Sequence, residues 1–385
     1  MAIFLRNWKN TPKGEQQQTK QTEISHTEQH QAKEIKSIPP EVSQHLKTSE
    51  QKELKKENEE QIKNEQSKQT KEQKEITIPK YELQPFPESE IVHVRDIVNR
   101  IDPSEIYEDY QQIGEGGMGC IFRVKRKSDK FKVVLKRMKY YRFDRANLLN
   151  EIRMMKKYQH KNIIHFIDCY LNWGVIWIAM EYMNAGTLND LVLYHDQCPM
   201  TEYMISYVIH EVANALSYLH SFHCIHRDIK SDNIFLKKDG SVKIGDFGLA
   251  VQLLSSHSTR SDKVGTSFWM SPEVIKEEEY NEKVDIWGLG VLCYEMVEGY
   301  PLYFEKNSVM ATLTISSKGA PPLDEKKYIS PAFKELIQSC VEYEPPKRPS
   351  AQQILEHEFI QWGDNEEKKL CLISCIQQVR KLMYD

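Results

Sequence analysis

The sequence predicts an α+β fold in two lobes: a small, mainly antiparallel β lobe with one helix, then a larger, mainly α lobe beginning near Ala185. A disordered tail precedes both. Three observations carry this. Of the 385 residues, those from about 11 to 85 are mostly Gln, Glu, Lys, Thr and Ser, and runs such as QKELKKENEEQIKNEQSKQTKEQKE hold almost nothing to bury. From about Glu88 onward, aliphatic and aromatic residues recur at strand and helix intervals, with enough chain for a two-lobed unit. The short runs YEDYQQI, CIFRVKR and FKVVLKRM come first, and the mostly apolar VDIWGLGVLCYEM, which reads as a buried helix, comes late. The expected organisation is 1–85 as a disordered regulatory or linker region, 86–109 as a lead-in helix and linker, 110–362 as the folded domain and 363–385 as a C-terminal helix.

Composition narrows the function classes. The net charge of −4 is small and neither sign forms a long block, which argues against a nucleic-acid partner. The 8 cysteines are scattered without a C-x-x-C pair or Cys/His metal spacing, so reduced thiols in a cytoplasmic protein are expected. No apolar run approaches the length of a transmembrane segment, and MAIFLRNWKN is too short and interrupted for a secretory signal. That opening mixes Ile3, Phe4, Leu5 and Trp8 with Arg6 and Lys9, so it reads as a frayed terminus or a short membrane-touching amphipathic helix.

Between the first two strand-like runs lies IGEGGMGCI, which sets Gly114, Gly116 and Gly119 at G-x-G-x-x-G spacing. Glycines allow a tight turn and let backbone N–H groups approach phosphate oxygens. A dinucleotide fold would start a helix at the third glycine, whereas IFRVKR alternates like a strand, so the loop reads as a hairpin tip over a nucleotide. The next strand ends its β-branched run at Lys136, in the place of the V-A-I-K lysine of phosphotransferases. The run NLLNEIRMMKKY then has helical spacing, with Leu149, Ile152 and Met155 on one side and Glu151 positioned to meet Lys136. Their ion pair would hold the ammonium on the α- and β-phosphates of ATP.

The decisive stretch is HRDIKSDN, followed by GDFG. In-line phosphoryl transfer needs a carboxylate to orient the attacking hydroxyl and accept its proton, a role that suits Asp228. Lys230 would stabilise charge on the moving group. Asp246 and the side-chain carbonyl of Asn233 are the hard oxygen ligands that Mg²⁺ requires. After GDFG come a loop rich in Ser and Thr, then VGTSFWMSPE, an activation segment and its anchor. Glu273 is expected to pair with Arg348, and Asp285 to tie the catalytic loop to the buried helix.

From about Ile91 to Trp362 the sequence resembles eukaryotic protein kinases. HRDIKSDN, DGSVKIGDFG, VGTSFWMSPEVI and KVDIWGLGV are similar to the PAK group of the sterile-20-like kinases, with germinal-centre kinases as runner-up. The resemblance implies a protein kinase fold, transfer from Mg-ATP to protein substrates, and ATP contacts at Ile113, Ile121, Val134 and Phe235. It places Met180 at the gatekeeper position and Glu181 to Met183 at the hinge. Lys230, Gly265 and Thr266 follow the serine/threonine pattern, and Asp232 matches a position that attracts a basic residue upstream of the target serine.

Three departures stand out. Where this family carries its activating phospho-threonine the residue is Asp262, whose charge would pair with Arg227 and partly order the loop without modification; alternatively neighbouring Ser261 or Thr259 takes the phosphate. Val134 replaces the usual alanine above adenine, which either weakens ATP binding or is absorbed by relaxation of the pocket. The motif that binds a Rho-family GTPase is not found, although KSIPPEVSQHLKTSEQK faintly resembles the inhibitory segment that follows it, with plain linker as the other reading. A pseudokinase scaffold is disfavoured because Lys136, Glu151, Asp228, Asn233 and Asp246 are all present, and a coiled-coil tail because apolar heptads are not sustained. A transient homodimer through the activation segments is left open.

Overall fold

The computed structural model describes residues 97–116, 119–139, 145–255, 257–323 and 329–384. The expectations for the polar tail, its amphipathic opening and the inhibitory remnant lie outside them. No helix among the described residues is long and apolar enough to cross a membrane.

The small lobe starts with a latch on a sheet edge. Asn99 N–H donates to the Cys169 carbonyl at 2.7 Å, and its own carbonyl accepts from Leu171 N–H at 2.9 Å. Asp102 then caps α1 (Pro103–Ile106) by accepting from Ser104 N–H at 2.8 Å, with proline in the first turn where its missing donor costs nothing. Five strands follow, β1 (Tyr107–Gly116), β2 (Gly119–Arg126), β3 (Lys132–Lys139), β4 (Phe166–Asn172) and β5 (Val175–Glu181), paired antiparallel in the order β1-β2-β3-β5-β4. Alternation of side chains sends Phe122, Val133, Leu135 and Trp177 into an outer cluster. The other face contributes Ile121, Val134, Met138, Ile178 and Met180 to the main core. The sole helix of this lobe's described residues besides α1 is α2 (Arg145–Lys157), which buries Ile152 and Met155 beneath that face and ends on Lys156 and Lys157, complementing its dipole.

The large lobe is built on buried helices. After α3 (Leu188–Val192), α4 (Glu202–Ser221) is capped by the Thr201 hydroxyl and buries most of its length. Two short pairings follow it: β6 (Cys224–Ile225) with β9 (Val251–Gln252), and the hairpin β7 (Ile234–Leu236) with β8 (Val242–Ile244). Between β6 and β7 the chain is a loop closed by a 3-10 turn at Ser231–Asn233. The short α5 (Pro272–Ile275) leads to α6 (Lys283–Glu298), in which every residue from Val284 to Glu298 is buried, as an all-round apolar run requires. After it come α7 (Ser308–Lys318), α8 (Pro331–Cys340), which packs on α6, and α9 (Ala351–Glu356) and α10 (Glu358–Gln361), which pack on α4. Finally α11 (Asn365–Tyr384) packs Leu372, Cys375, Ile376 and Val379 into the core, and Lys368 Nζ donates to the Ile360 carbonyl at 2.8 Å.

Candidate active site

β3 and α2 bring Lys136 and Glu151 together: the ammonium lies 2.8 Å from the carboxylate and both side chains are over nine-tenths buried. Burial opposes the charge on Lys136, but Glu151 and then Asp246 hold its pKa above the ordinary lysine value. Gly116 and Gly119 pair at the β1–β2 tip, with 117 and 118 between them outside the described residues. Only glycine suits position 119, where φ is +132° and a Cβ would stand 2.0 Å from the Arg137 carbonyl oxygen. Ile121, Val134 and Met180 are buried, Ile113 and Gly114 are half-buried, and Val134 pairs with Met180 across β3 and β5. At the lobe connection the Glu181 carboxylate accepts from His165 N–H at 2.7 Å and meets Lys243 at 2.6 Å and Lys237 at 2.9 Å. Met183 and Phe235 are buried on either side of the junction, where Ala185 N–H donates to the Leu236 carbonyl.

The loop between β6 and β7 hangs from α6. The Asp285 carboxylate accepts from His226 N–H at 2.9 Å and Arg227 N–H at 2.7 Å, and His220 Nε2 lies 2.9 Å away. Burial raises the Asp285 pKa, yet the net displacement is downward because His220 and these donors favour the carboxylate. His226 donates from Nε2 to the Gly245 carbonyl at 3.1 Å, joining the loop to the residue before Asp246. Arg227 and Asp246 have φ of +66° and +64°, conformations that cost free energy outside glycine and are held here by surrounding contacts.

Within this frame Asp228 is surrounded by donors. One carboxylate oxygen accepts from Thr266 at 2.6 Å; the other lies 2.8 Å from Lys230 Nζ and accepts from Asn233 Nδ2 at 2.8 Å. Lys230 also donates to the Thr266 hydroxyl at 2.5 Å. Asn233 Nδ2 also donates to the Asp228 backbone carbonyl at 2.8 Å, and its Oδ1 is buried without a hydrogen-bond partner. Asp246 is deeply buried, which pushes its carboxyl up, while Lys136 pulls it down to a net value below the usual carboxylate range. Asp232 is half-buried and its carboxyl is raised by burial, with Lys230 opposing.

Asp262 joins the activation segment to this loop. Its carboxylate accepts from Arg227 at 2.7 Å, Arg260 at 2.8 Å and the Tyr280 hydroxyl at 3.0 Å. The Arg260 bond, against burial and together with Arg227, holds its carboxyl well below the usual range. Ser261 and Thr259 are exposed beside it. Gly265 has a φ of +131°, and a Cβ there would press within 3.3 Å of the Arg227 carbonyl, so glycine lets Thr266 reach Asp228. Farther on, Arg348 grips Glu273 through two bonds of 2.6 and 2.9 Å, both residues buried, with the guanidinium 5.0 Å from the centre of the Trp287 ring.

Two groups of partners were not anticipated from sequence. Arg260 and Tyr280 complete the Asp262 cluster, and a buried Glu295 on α6 accepts from Ser231 N–H at 3.0 Å, the Ser231 hydroxyl and Trp269 Nε1 at 2.8 Å. The basic character of the loop around Asp262 was the one local sign of the first; the second joins residues far apart in the chain and has none.

A protein kinase domain model matches residues 107–360. The serine/threonine-protein kinase pakC of Dictyostelium discoideum is 38% identical over 298 residues, which is 77% of this chain and 62% of that protein. The serine/threonine-protein kinase ste20 of Aspergillus oryzae is 39% identical over 260 residues, 67% of this chain and 30% of its own length. For the mouse serine/threonine-protein kinase PAK 1 the values are 39% over 268 residues, 69% and 49%. This chain therefore spans less than two thirds of the length of these curated relatives. With two lobes, a buried lysine–glutamate pair and a family match over more than half its length, the chain belongs to the protein kinase family and is similar to kinases of the PAK and Ste20 type.

Proposed function

We propose that this chain is a protein serine/threonine kinase that transfers the γ-phosphoryl group of ATP to serine or threonine hydroxyls of proteins. The observation that carries the reading is the Asp228 carboxylate, poised among Lys230, Asn233 and Thr266 while Lys136 and Glu151 are already paired. Asp228 orients the acceptor hydroxyl and takes its proton as the oxygen attacks the γ-phosphorus and ADP departs. Lys230, beside Asp228 and Thr266, offsets the charge that develops on the phosphoryl group. Lys136, fixed by Glu151, binds the α- and β-phosphates, and the glycine tip at Gly114, Gly116 and Gly119 covers them. Val134 and Phe235 close on the adenine from above and below, between Ile113, Ile121 and Met180, and backbone groups of Glu181 to Met183 meet its edge.

The buried Asn233 Oδ1, an oxygen acceptor with no partner, fits a hard divalent cation. Asn233 and Asp246 would hold Mg²⁺, which supplies charge neutralisation on the phosphates. Asp232 supports a preference for basic residues near the acceptor, since a carboxylate rewards a cationic partner. Asp262, already held by two arginines, supports activity without phosphorylation of the loop. The test is transfer of radiolabelled phosphate from ATP to a positional peptide library, with Asp246→Asn as control. Labelling of basic serine peptides is expected, and a folded, Mg-ATP-supplied protein that labels no peptide overturns the proposal.

A further inference from the structure

Cys198, in the connection between α3 and α4, and Cys375, on α11, bring their sulfurs to 3.4 Å although 177 residues separate them in sequence. Both are buried, and the Cys198 thiol donates to Gln378 Oε1 at 3.2 Å, one turn along α11. An S–S bond measures about 2.05 Å, so bond formation asks for a movement on the order of 1 Å, within reach of two side-chain rotations. We infer that Cys198 and Cys375 are a reversible oxidation site, joined by hydrogen peroxide into a disulfide that staples the C-terminal helix to the large lobe.

The steps balance. The Cys198 sulfur attacks one peroxide oxygen, the O–O bond breaks, and Cys198 becomes a sulfenic acid with release of one water. The Cys375 sulfur then attacks that sulfur, the S–O bond breaks, the Cys375 proton leaves with the hydroxyl as a second water, and the disulfide remains. Each sulfur has given up one electron and the peroxide has taken two. Burial, with the neighbouring Cys198 adding to it, pushes the Cys375 thiol up to about 12, which makes it a poor first target. Cys198 is the more accessible of the two, 7% against 1%, and so takes the first step.

The staple matters because of where α11 ends. Arg380, one turn beyond Ile376, donates to the Asn184 carbonyl at 3.2 Å, directly after the Met183 end of the lobe connection. Covalent closure therefore fixes the strut that braces the connection. The bond also shortens the free chain of the unfolded state, which raises thermal stability.

The full chain is treated with graded hydrogen peroxide, alkylated, and digested without reductant. The expected result is a Cys198–Cys375 cross-linked peptide, abolished by dithiothreitol, and a melting temperature several degrees above that of the reduced protein. Cys375→Ala and Cys198→Ala each remove both the cross-link and the rise, while Cys371→Ala removes neither. Free Cys198 and Cys375 in a sample whose half-exposed Cys120 and Cys371 are already oxidised would overturn the inference. So would a cross-link with no gain in melting temperature. Neither readout depends on phosphoryl transfer.

Discussion

Arg227 lies 2.7 Å from Asp262, so the residue beside the proposed base Asp228 holds the activation segment through a single guanidinium. The same side chain donates to the Leu249 carbonyl at 2.6 Å and the Tyr280 hydroxyl at 2.8 Å, which fixes its direction. Because Asp262 is partly exposed, the pair is discounted to about 1–2 kcal/mol of ordering. Asp262→Asn, which keeps shape but loses charge, is expected to lower kcat about tenfold. Wild-type protein freed of phosphate is expected to keep most of its activity, and complete loss after phosphatase treatment would show that the acid does not suffice. The depressed carboxyl contributes stability above an unfolded value of about 4 and loses it only as pH falls through its still lower folded value. Asp262 therefore leaves the pH profile flat near neutrality.

Lys136 and Glu151 are both nearly inaccessible, so neither can lose its partner without leaving a charge in a poor environment. Removing one member of such a pair costs about 3–5 kcal/mol. Lys136→Met is expected to abolish labelling and lower the denaturation midpoint. Glu151→Gln, which still accepts a bond from the ammonium, is expected to keep the fold and weaken ATP binding, read by thermal shift with increasing Mg-ATP. Equal ATP shifts in wild type and Glu151→Gln would mean that the pair does not orient the lysine.

Much of this site was legible because its residues sit at short, fixed spacings. Asp228, Lys230 and Asn233 fall within one loop, and the Lys136–Glu151 pairing follows from a strand and the next helix in order. The anchors Asp285 and Glu273 were also readable, since each lies inside a motif whose partner lies in another. The register that aims Tyr280 at Asp262 was not, because it depends on a bridge between Arg260 and Tyr280 formed only after the segment folds back. The edge latch at Asn99 was equally hidden: two backbone hydrogen bonds carry no side-chain pattern. Glu295 looked like one polar residue within an apolar helix, and nothing local revealed that Ser231 and Trp269 would meet it.

Arg348 is a test of how far a buried bidentate pair tolerates conservative change. Its guanidinium satisfies Glu273 with two bonds, donates to the Glu342 carbonyl at 2.8 Å and stacks over Trp287. Lysine has one compact ammonium and cannot reproduce the fork. Arg348→Ala is expected to destabilise by about 3–5 kcal/mol, with Arg348→Lys recovering less than half of that loss. Chemical denaturation measures this, and a lysine variant as stable as wild type would reduce the pair to generic charge attraction.

Glu295 ties stability to pH in the range where cells work. Three donors favour its carboxylate, but complete burial outweighs them and holds the group at about 7. The folded state therefore binds a proton that the unfolded chain, with an ordinary value of about 4.3, has already released. The stabilising contribution is complete below about pH 4, declines as pH rises and levels off once pH passes about 7. The drop is on the order of 3 kcal/mol, set by the gap between the two values. Glu295→Gln is expected to be less stable than wild type at pH 5, because an amide nitrogen must replace one acceptor oxygen, and to show a flatter dependence between pH 5 and 7. Urea midpoints at several pH values for the two proteins make the comparison. Parallel slopes would place the proton elsewhere and leave Glu295 ionised among its three donors.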